Sequence, residues 1–92
     1  MAEFGVHGRE QIGELTYVIG RCYQGPLRVG DVFQRFVTAD GTELSVHLQV
    51  EGIQAYQHDF ESIDEGLTAR LRLAGSGTES LADGGVLSTA AD

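Results

Sequence analysis

Apolar and polar residues alternate along most of the chain, which is typical of β-strands that bury one face. The alternation is most regular in residues 67–73, where leucine or alanine stands at every odd position. Residues 44–50 show the same period. Residues 15–24 are rich in β-branched and aromatic side chains, and Gly20 is the expected bend of a strand that curves around a barrel. The pattern therefore predicts at least three strands.

The alternation slips by one residue at two places. In residues 32–38 the two phenylalanines are three positions apart instead of two, which predicts a β-bulge or an end-capping residue. Between Val50 and Ile53 the slip coincides with Gly52, and a bulge or kink there would keep both aliphatic side chains facing inward.

Glycine and proline residues separate the predicted strands. An Asp-Gly pair at residues 40–41 predicts a tight hairpin, and a Gly-Pro pair at residues 25–26 ends the first long strand. Residues 54–66 are mostly polar and are predicted to form a loop. One turn of helix or a 3₁₀ turn is expected within residues 78–82, followed by a last short strand at residues 86–87.

No segment has the apolar spacing of a long helix, so we predict an all-β fold, a small antiparallel barrel or sandwich. The 92 residues make one domain. Residues 1–12 are expected to form an N-terminal arm or a short first strand, residues 13–87 the β-barrel domain, and residues 88–92 a mobile tail.

The charge balance limits the classes of partner. The chain has 14 acidic residues, 6 arginines and no lysine, for a net charge of −8. DNA and RNA are disfavoured as partners because phosphate binding needs basic surface, and anionic membranes are disfavoured for the same reason. No apolar run approaches the ~20 residues of a membrane span, and no leader pattern is visible, so we expect a cytoplasmic protein.

The residues that carry chemistry show no catalytic or metal-binding spacing. The three histidines are too far apart for a zinc site, and Cys22 has no neighbouring base in the sequence. The acidic residues between positions 59 and 65 lack the spacing of a calcium-binding loop. We therefore predict no catalytic residue, no metal and no cofactor, and expect that the protein is not an enzyme.

Four glycine-containing segments occur in an order that resembles a known family. They are GELTYVIGRCYQGPLRVGD, VEGI, DEGLTARLRLAG and LADGGVL. Together they resemble the second domain of translational GTPases, the β-barrel that follows the GTP-binding domain in elongation factors Tu and G and in initiation factor two. The resemblance implies an antiparallel barrel, closed or partly open, with six to eight strands. GTPase activity is excluded within this chain because the P-loop motif requires a lysine.

Two groups of residues are candidate binding residues. The resemblance implies that the loop after Ile53 belongs to the region that receives the aminoacyl end of tRNA in Tu-like factors. Tyr56, Gln57 and His58 stand in that loop, where the tyrosine and histidine rings could stack on a base. Arg70 and Arg72 share the polar face of their strand, and they either pair with acids such as Glu51 or form a contact surface for an acidic partner.

Two functions remain open from the sequence. The acidic charge favours a non-enzymatic binding module that acts through protein–protein contacts, such as an inhibitor or immunity-type protein with a basic partner. The alternative is a translation accessory that contacts tRNA or the ribosome through the elongation-factor-like barrel. An edge strand or an apolar patch would also allow a homodimer.

Overall fold

A computed structural model describes residues 2–89 of the chain. Within them the backbone forms nine β-strands and a single 3₁₀ turn at Thr78–Ser80. The strands are β1 (Glu3–Ile12), β2 (Leu15–Gln24), β3 (Leu27–Arg28), β4 (Val32–Val37), β5 (Glu43–Ala55), β6 (His58–Phe60), β7 (Ser62–Ile63), β8 (Thr68–Ser76) and β9 (Val86–Thr89).

Six of these strands close into a ring in the order β4-β9-β1-β2-β8-β5, since β5 also pairs with β4. Every pairing in the ring is antiparallel. The short strand β6 extends the sheet beyond β5, and β3 and β7 form a separate two-stranded ribbon. The predicted antiparallel barrel is therefore confirmed, and it is closed.

The inward-facing residues of all six ring strands meet in one core. The alternation predicted for residues 44–50 is visible in β5, where every second side chain is buried. In β8 the core side chains are Ala69, Leu71 and Leu73, whereas Leu67 lies just before the strand and is 37% exposed. The largest fully buried side chains are Phe4, Phe33, Phe36, Leu27, Leu48, Ile53, Leu71 and Leu87.

Both predicted bulges are present. The register of β4 shifts between Phe33 and Arg35, and the register of β5 shifts between Val50 and Gly52. As expected, Val50 and Ile53 are both buried. Two further shifts lie in β1, between Glu3 and Phe4 and between Val6 and Gly8, and the sequence pattern did not reveal them.

The prediction that residues 54–66 form a loop is wrong. The strand β5 continues to Ala55, turns through Tyr56 and Gln57, and returns as β6; β7 follows and pairs with β3. The turn was missed because it lacks the Asn-Gly or Asp-Gly pair that usually marks a two-residue hairpin.

Both ends of the chain contribute more to the barrel than the sequence suggested. The strand β1 already begins at Glu3, so the ring starts ten residues before the expected boundary at residue 13. Ser88 and Thr89 belong to β9 instead of a mobile tail, and Ser88 is buried. Residues 90–92 of the predicted tail lie outside the described residues. No helix within residues 2–89 is long and apolar enough to cross a membrane.

Candidate functional site

Arg70 on β8 is held on the outer face of the barrel by residues from three other strands. Its guanidinium carbon lies 4.0 Å from the centroid of the Tyr17 ring on β2. The same guanidinium pairs with the carboxylate of Glu10 on β1 and donates a 3.5 Å hydrogen bond to Gln54 Oε1 on β5. An arginine that stacks on an aromatic ring while it pairs with a carboxylate is fixed in orientation.

Arg72 lies two residues further along β8 and pairs with one acidic residue. Its Nε is 4.0 Å from Glu51 Oε1, and its Nη2 donates a 3.3 Å hydrogen bond to the Glu51 carbonyl. The pairing with Glu51 that the sequence suggested is therefore present. Both side chains are 43% exposed, and a pair at such a site stabilises the fold by only about 0–1 kcal/mol.

A groove of about 260 Å³ runs beside Arg72, between the wall formed by β5 and β8 and the short strand β6. We call it the Phe60 groove. Because Gly52 has no side chain, the Arg72 guanidinium is not covered from that side; a Cβ on Gly52 would lie 3.7 Å from it. The lining residues are Tyr17, Val29, Glu51, Gly52, Ile53, Gln54, Asp59, Phe60 and Arg72.

The β5–β6 turn presents an aromatic side chain to solvent. Tyr56 and Gln57 both have positive φ, 52° and 64°, and the tyrosine is 75% exposed. A non-glycine residue in this conformation costs roughly 1–2 kcal/mol. Two such residues in succession, with an exposed ring, make the turn a candidate contact site, since strained backbone concentrates at functional sites.

A second groove, of about 330 Å³, lies between this turn and Arg70. We call it the Tyr56 groove; it is lined by Gln54, Ala55, Tyr56, Gln57, Asp59 and Arg70. The structure thus brings Tyr56, Gln57 and Arg70 to one groove and places Arg72 in the adjoining Phe60 groove. His58 is exposed at the start of β6 and lines neither groove.

Gln54 and Asp59 line both grooves, which together form a continuous face that we call the β5–β6 face. Sequence reasoning did not single out Tyr17, Gln54 or Phe60. Tyr17 and Gln54 occupy outward positions of their strands, so alternation alone could have placed them on the barrel surface. Their meeting with Arg70 depends on the order β2-β8-β5, which only the fold reveals.

The electrostatic balance of this face is close to neutral. Two arginines, Arg70 and Arg72, are matched by three acids, Glu10, Glu51 and Asp59. The face is therefore polar and aromatic, and it is not a basic patch. Such a surface suits hydrogen bonding and stacking better than binding along a phosphate backbone.

Cys22 is placed as a structural residue. It is fully buried, and its thiol donates a 3.5 Å hydrogen bond to the Gln24 carbonyl. Burial raises the pKa of the Cys22 thiol, so the nucleophilic thiolate is disfavoured. Among residues 2–89, no group of three or more His, Cys, Asp and Glu side chains is arranged to hold a metal ion.

A search of solved structures finds the translation elongation factor SelB from Methanococcus maripaludis, in its apo form, at a TM-score of 0.77. The match covers 94% of this chain at 18% sequence identity. The chain has the fold of a translation-factor β-barrel domain. It spans 18% of the length of the SelB chain, so the likeness concerns one domain of that factor. Neither a protein-family model nor a curated protein matches the sequence.

The resemblance predicted from the four glycine-containing segments is thereby confirmed as a resemblance of fold. At 18% sequence identity the match supports the fold, and it does not assign a function to any individual residue of this chain. The assignment of the β5–β6 face as a binding site therefore depends on its own geometry.

Proposed function

We propose that the chain is a non-enzymatic, translation-factor-type barrel that contacts tRNA or the ribosome through the β5–β6 face. The observation that carries the proposal is the match to a translation elongation factor over 94% of the chain. Fold similarity favours this function over the inhibitor or immunity-type role. The acidic charge is the only observation that supports that role.

The geometry of the face supports recognition of an unpaired nucleotide or a chain end. Single-stranded RNA is recognised by stacking on aromatic rings and by arginine and amide contacts to bases and the 2′-hydroxyl. Tyr56 offers an exposed ring, and Gln54 and Gln57 offer amide groups within the same groove. Arg70 presents a guanidinium whose orientation is already set by Tyr17 and Glu10.

The net charge of −8 shapes the expected mode of binding. A protein that follows the phosphate backbone releases many counterions, and its affinity falls steeply with salt. Here few phosphates can be neutralised, since the acids on the face match its arginines. We therefore expect contact with a few nucleotides, or with a basic ribosomal component, and a shallow dependence of affinity on salt.

A direct test measures binding of the purified chain to deacylated tRNA, aminoacylated tRNA and ribosomal subunits in separate experiments. The variants are Tyr56→Ala and Arg70→Ala. The matched control is Arg35→Ala, because Arg35 also forms an exposed ion pair, 3.9 Å from Glu43, on β4 away from the β5–β6 face. Urea unfolding of each variant shows that the fold is intact.

We expect one of these probes to bind the wild-type chain. The same probe should bind Arg35→Ala with the same affinity. Tyr56→Ala should weaken that binding about tenfold, because loss of a stacked base costs about 1–3 kcal/mol. Arg70→Ala should weaken it as well. Absence of binding to every probe at low salt would refute the proposal, and equal losses in Arg70→Ala and Arg35→Ala would show that only net charge matters.

A further inference from the structure

The strand β1 is ten residues long, but only part of it is covered on both sides. Its partner β9 pairs with Glu3–Gly5, and Val6 exchanges backbone hydrogen bonds with Gly84 and Gly85. The remaining residues 8–12 pair only with β2 within the described part of the chain. We call residues 8–12 the open edge.

The open edge directs backbone hydrogen-bonding groups away from the sheet. Cys22 on β2 bonds through its N–H to Leu67 and through its carbonyl to Gly66, on the side of β8. By alternation, Val18 also directs its backbone groups toward β8. Arg9 is the residue opposite Val18, so its own N–H and carbonyl point away from β2, toward the open edge.

Apolar side chains surround this edge on the outer face of the β1–β2 hairpin. Ile12 is 51% exposed, Leu15 43% and Ile19 41%. At Gly8, a Cβ would have no neighbour within 4 Å, so a partner side chain finds open space there.

Proline and lysine, which natural proteins use to block edge strands, are both absent from β1 and β2. Of the other protecting features, β1 has the bulge between Val6 and Gly8, before the open edge, and the two charged residues Arg9 and Glu10 within it.

We propose that the open edge binds an extended segment of a basic partner protein by β-strand addition. Main-chain hydrogen bonds to residues 8–12 would supply affinity, and alternate side chains would supply specificity. Aliphatic side chains of the segment lie beside Ile12 and over Gly8, and a basic side chain lies beside Glu10, whose half-exposed carboxylate it shares with Arg70. The net charge of −8 favours a basic segment by electrostatic steering.

A second copy of the chain is a poorer occupant of the same edge. Two copies would bring together two chains of charge −8. A two-fold antiparallel pairing that continues the sheet also places one residue opposite its own copy. Centred on Arg9 or on Glu10, it would place like charges directly opposite, which is destabilising. Centred on Gln11 it would not, and there only the repulsion between the two acidic chains opposes the pairing.

The test uses a fluorescent synthetic peptide about as long as β1, in which valine and arginine occupy every second position in turn and threonine the positions between, so that both lie on one face of the added strand. A peptide with glutamate in place of arginine is the charge control. Binding is followed by fluorescence anisotropy with the wild-type chain, Arg9→Pro and Arg9→Ala. The two variants carry the same charge and differ in the outward N–H. Proline is tolerated at such an edge position because that N–H has no partner in the barrel.

The arginine–valine peptide should bind the wild-type chain and Arg9→Ala alike, and bind Arg9→Pro at least about tenfold more weakly, because main-chain hydrogen bonds supply the affinity of an added strand. The glutamate–valine peptide should not bind. Hydrogen exchange on the wild-type chain is a second readout that needs no variant: the peptide should slow exchange selectively in residues 8–12.

Equal binding of the peptide to Arg9→Pro and Arg9→Ala, or protection of amides elsewhere, would overturn the proposal. So would the absence of binding. A wild-type dimer in sedimentation equilibrium that Arg9→Pro dissociates would assign the edge to a second copy instead of a basic segment. Failure of this proposal is distinguishable from failure of the proposed function, because the RNA-binding test uses Tyr56→Ala and Arg70→Ala, whereas the variants at Arg9 leave both of those residues unchanged.

Discussion

Gly20 occupies a position in β2 where the fold leaves no space for a side chain. A Cβ at this position would lie 1.8 Å from the Gly5 carbonyl oxygen on β1. Gly20 stands opposite Val6, beside the register shift of β1. The requirement for glycine at this position thus has a definite cause, the approach of the Gly5 carbonyl, whereas the bend expected there from the sequence stays a prediction.

Gly20→Ala should therefore be strongly destabilising. Overpacking usually costs about 1–3 kcal/mol, and contact with backbone atoms cannot be relieved by a side-chain rotation, so we expect the upper end of that range. Urea unfolding would measure the change. Gly8→Ala is the matched control, since a Cβ there meets nothing within 4 Å, and it should leave the free energy of unfolding almost unchanged. A similar cost in both variants would contradict this explanation.

At the scale of elements, the β5–β6 hairpin combines backbone strain with exposure of a candidate binding residue. Hairpins with two-residue turns favour Asn-Gly or Gly-Gly because both central residues need positive φ. Here Tyr56 and Gln57 take these positions, with φ of 52° and 64°. The turn therefore reduces stability while it presents the Tyr56 ring at the rim of the Tyr56 groove.

Replacing one of the strained residues by glycine should stabilise the protein. For Gln57→Gly we expect a gain of about 1 kcal/mol in the free energy of unfolding, because glycine adopts positive φ without steric cost. Gln54→Gly is the control, since the same substitution in a strand interior should destabilise by roughly 0.5–1 kcal/mol. Thermal or urea unfolding would measure both, and changes of the same sign would show that the turn is not strained.

For the whole molecule, charge and topology have separate consequences. Closure of the ring leaves only short or partial edges, the open edge of β1 among them. The 14 acids and 6 arginines form three ion pairs within residues 2–89, and all three are at least partly exposed. Exposed pairs contribute little, so repulsion among the unpaired acids dominates the electrostatic free energy of the fold.

Added salt should therefore stabilise the chain at neutral pH. Raising sodium chloride from about 0.02 M to about 0.3 M shortens the Debye length severalfold and screens this repulsion, so Tm should increase. The same titration near pH 4.6, the isoelectric point calculated from the sequence, is the control. There the net charge is close to zero and salt should have little effect. A decrease in Tm with salt at neutral pH would mean that the ion pairs outweigh the repulsion.

The sequence by itself determined the main strands β2, β4, β5 and β8, both predicted bulges and the outward placement of Arg70 and Arg72. These features follow from the alternation of apolar and polar residues along the chain, which can be recognised without knowing the partner of any strand. The bulge between Val50 and Ile53 could also be predicted from the local sequence. Strict alternation would bury only one of these two residues, and an extra residue between them lets both face the core.

Only the tertiary structure decided the closure of the ring, the hairpin at Tyr56 and the contacts of Arg70. Arg70 and Glu10 are 60 residues apart in the chain, and they meet only because β2 lies between β1 and β8. Pairing between distant strands depends on the free energy of the whole barrel, so it cannot be predicted from a local sequence pattern. The strained turn escaped prediction for a related reason: its conformation is imposed by the strands that it joins and opposes the local preferences of Tyr56 and Gln57.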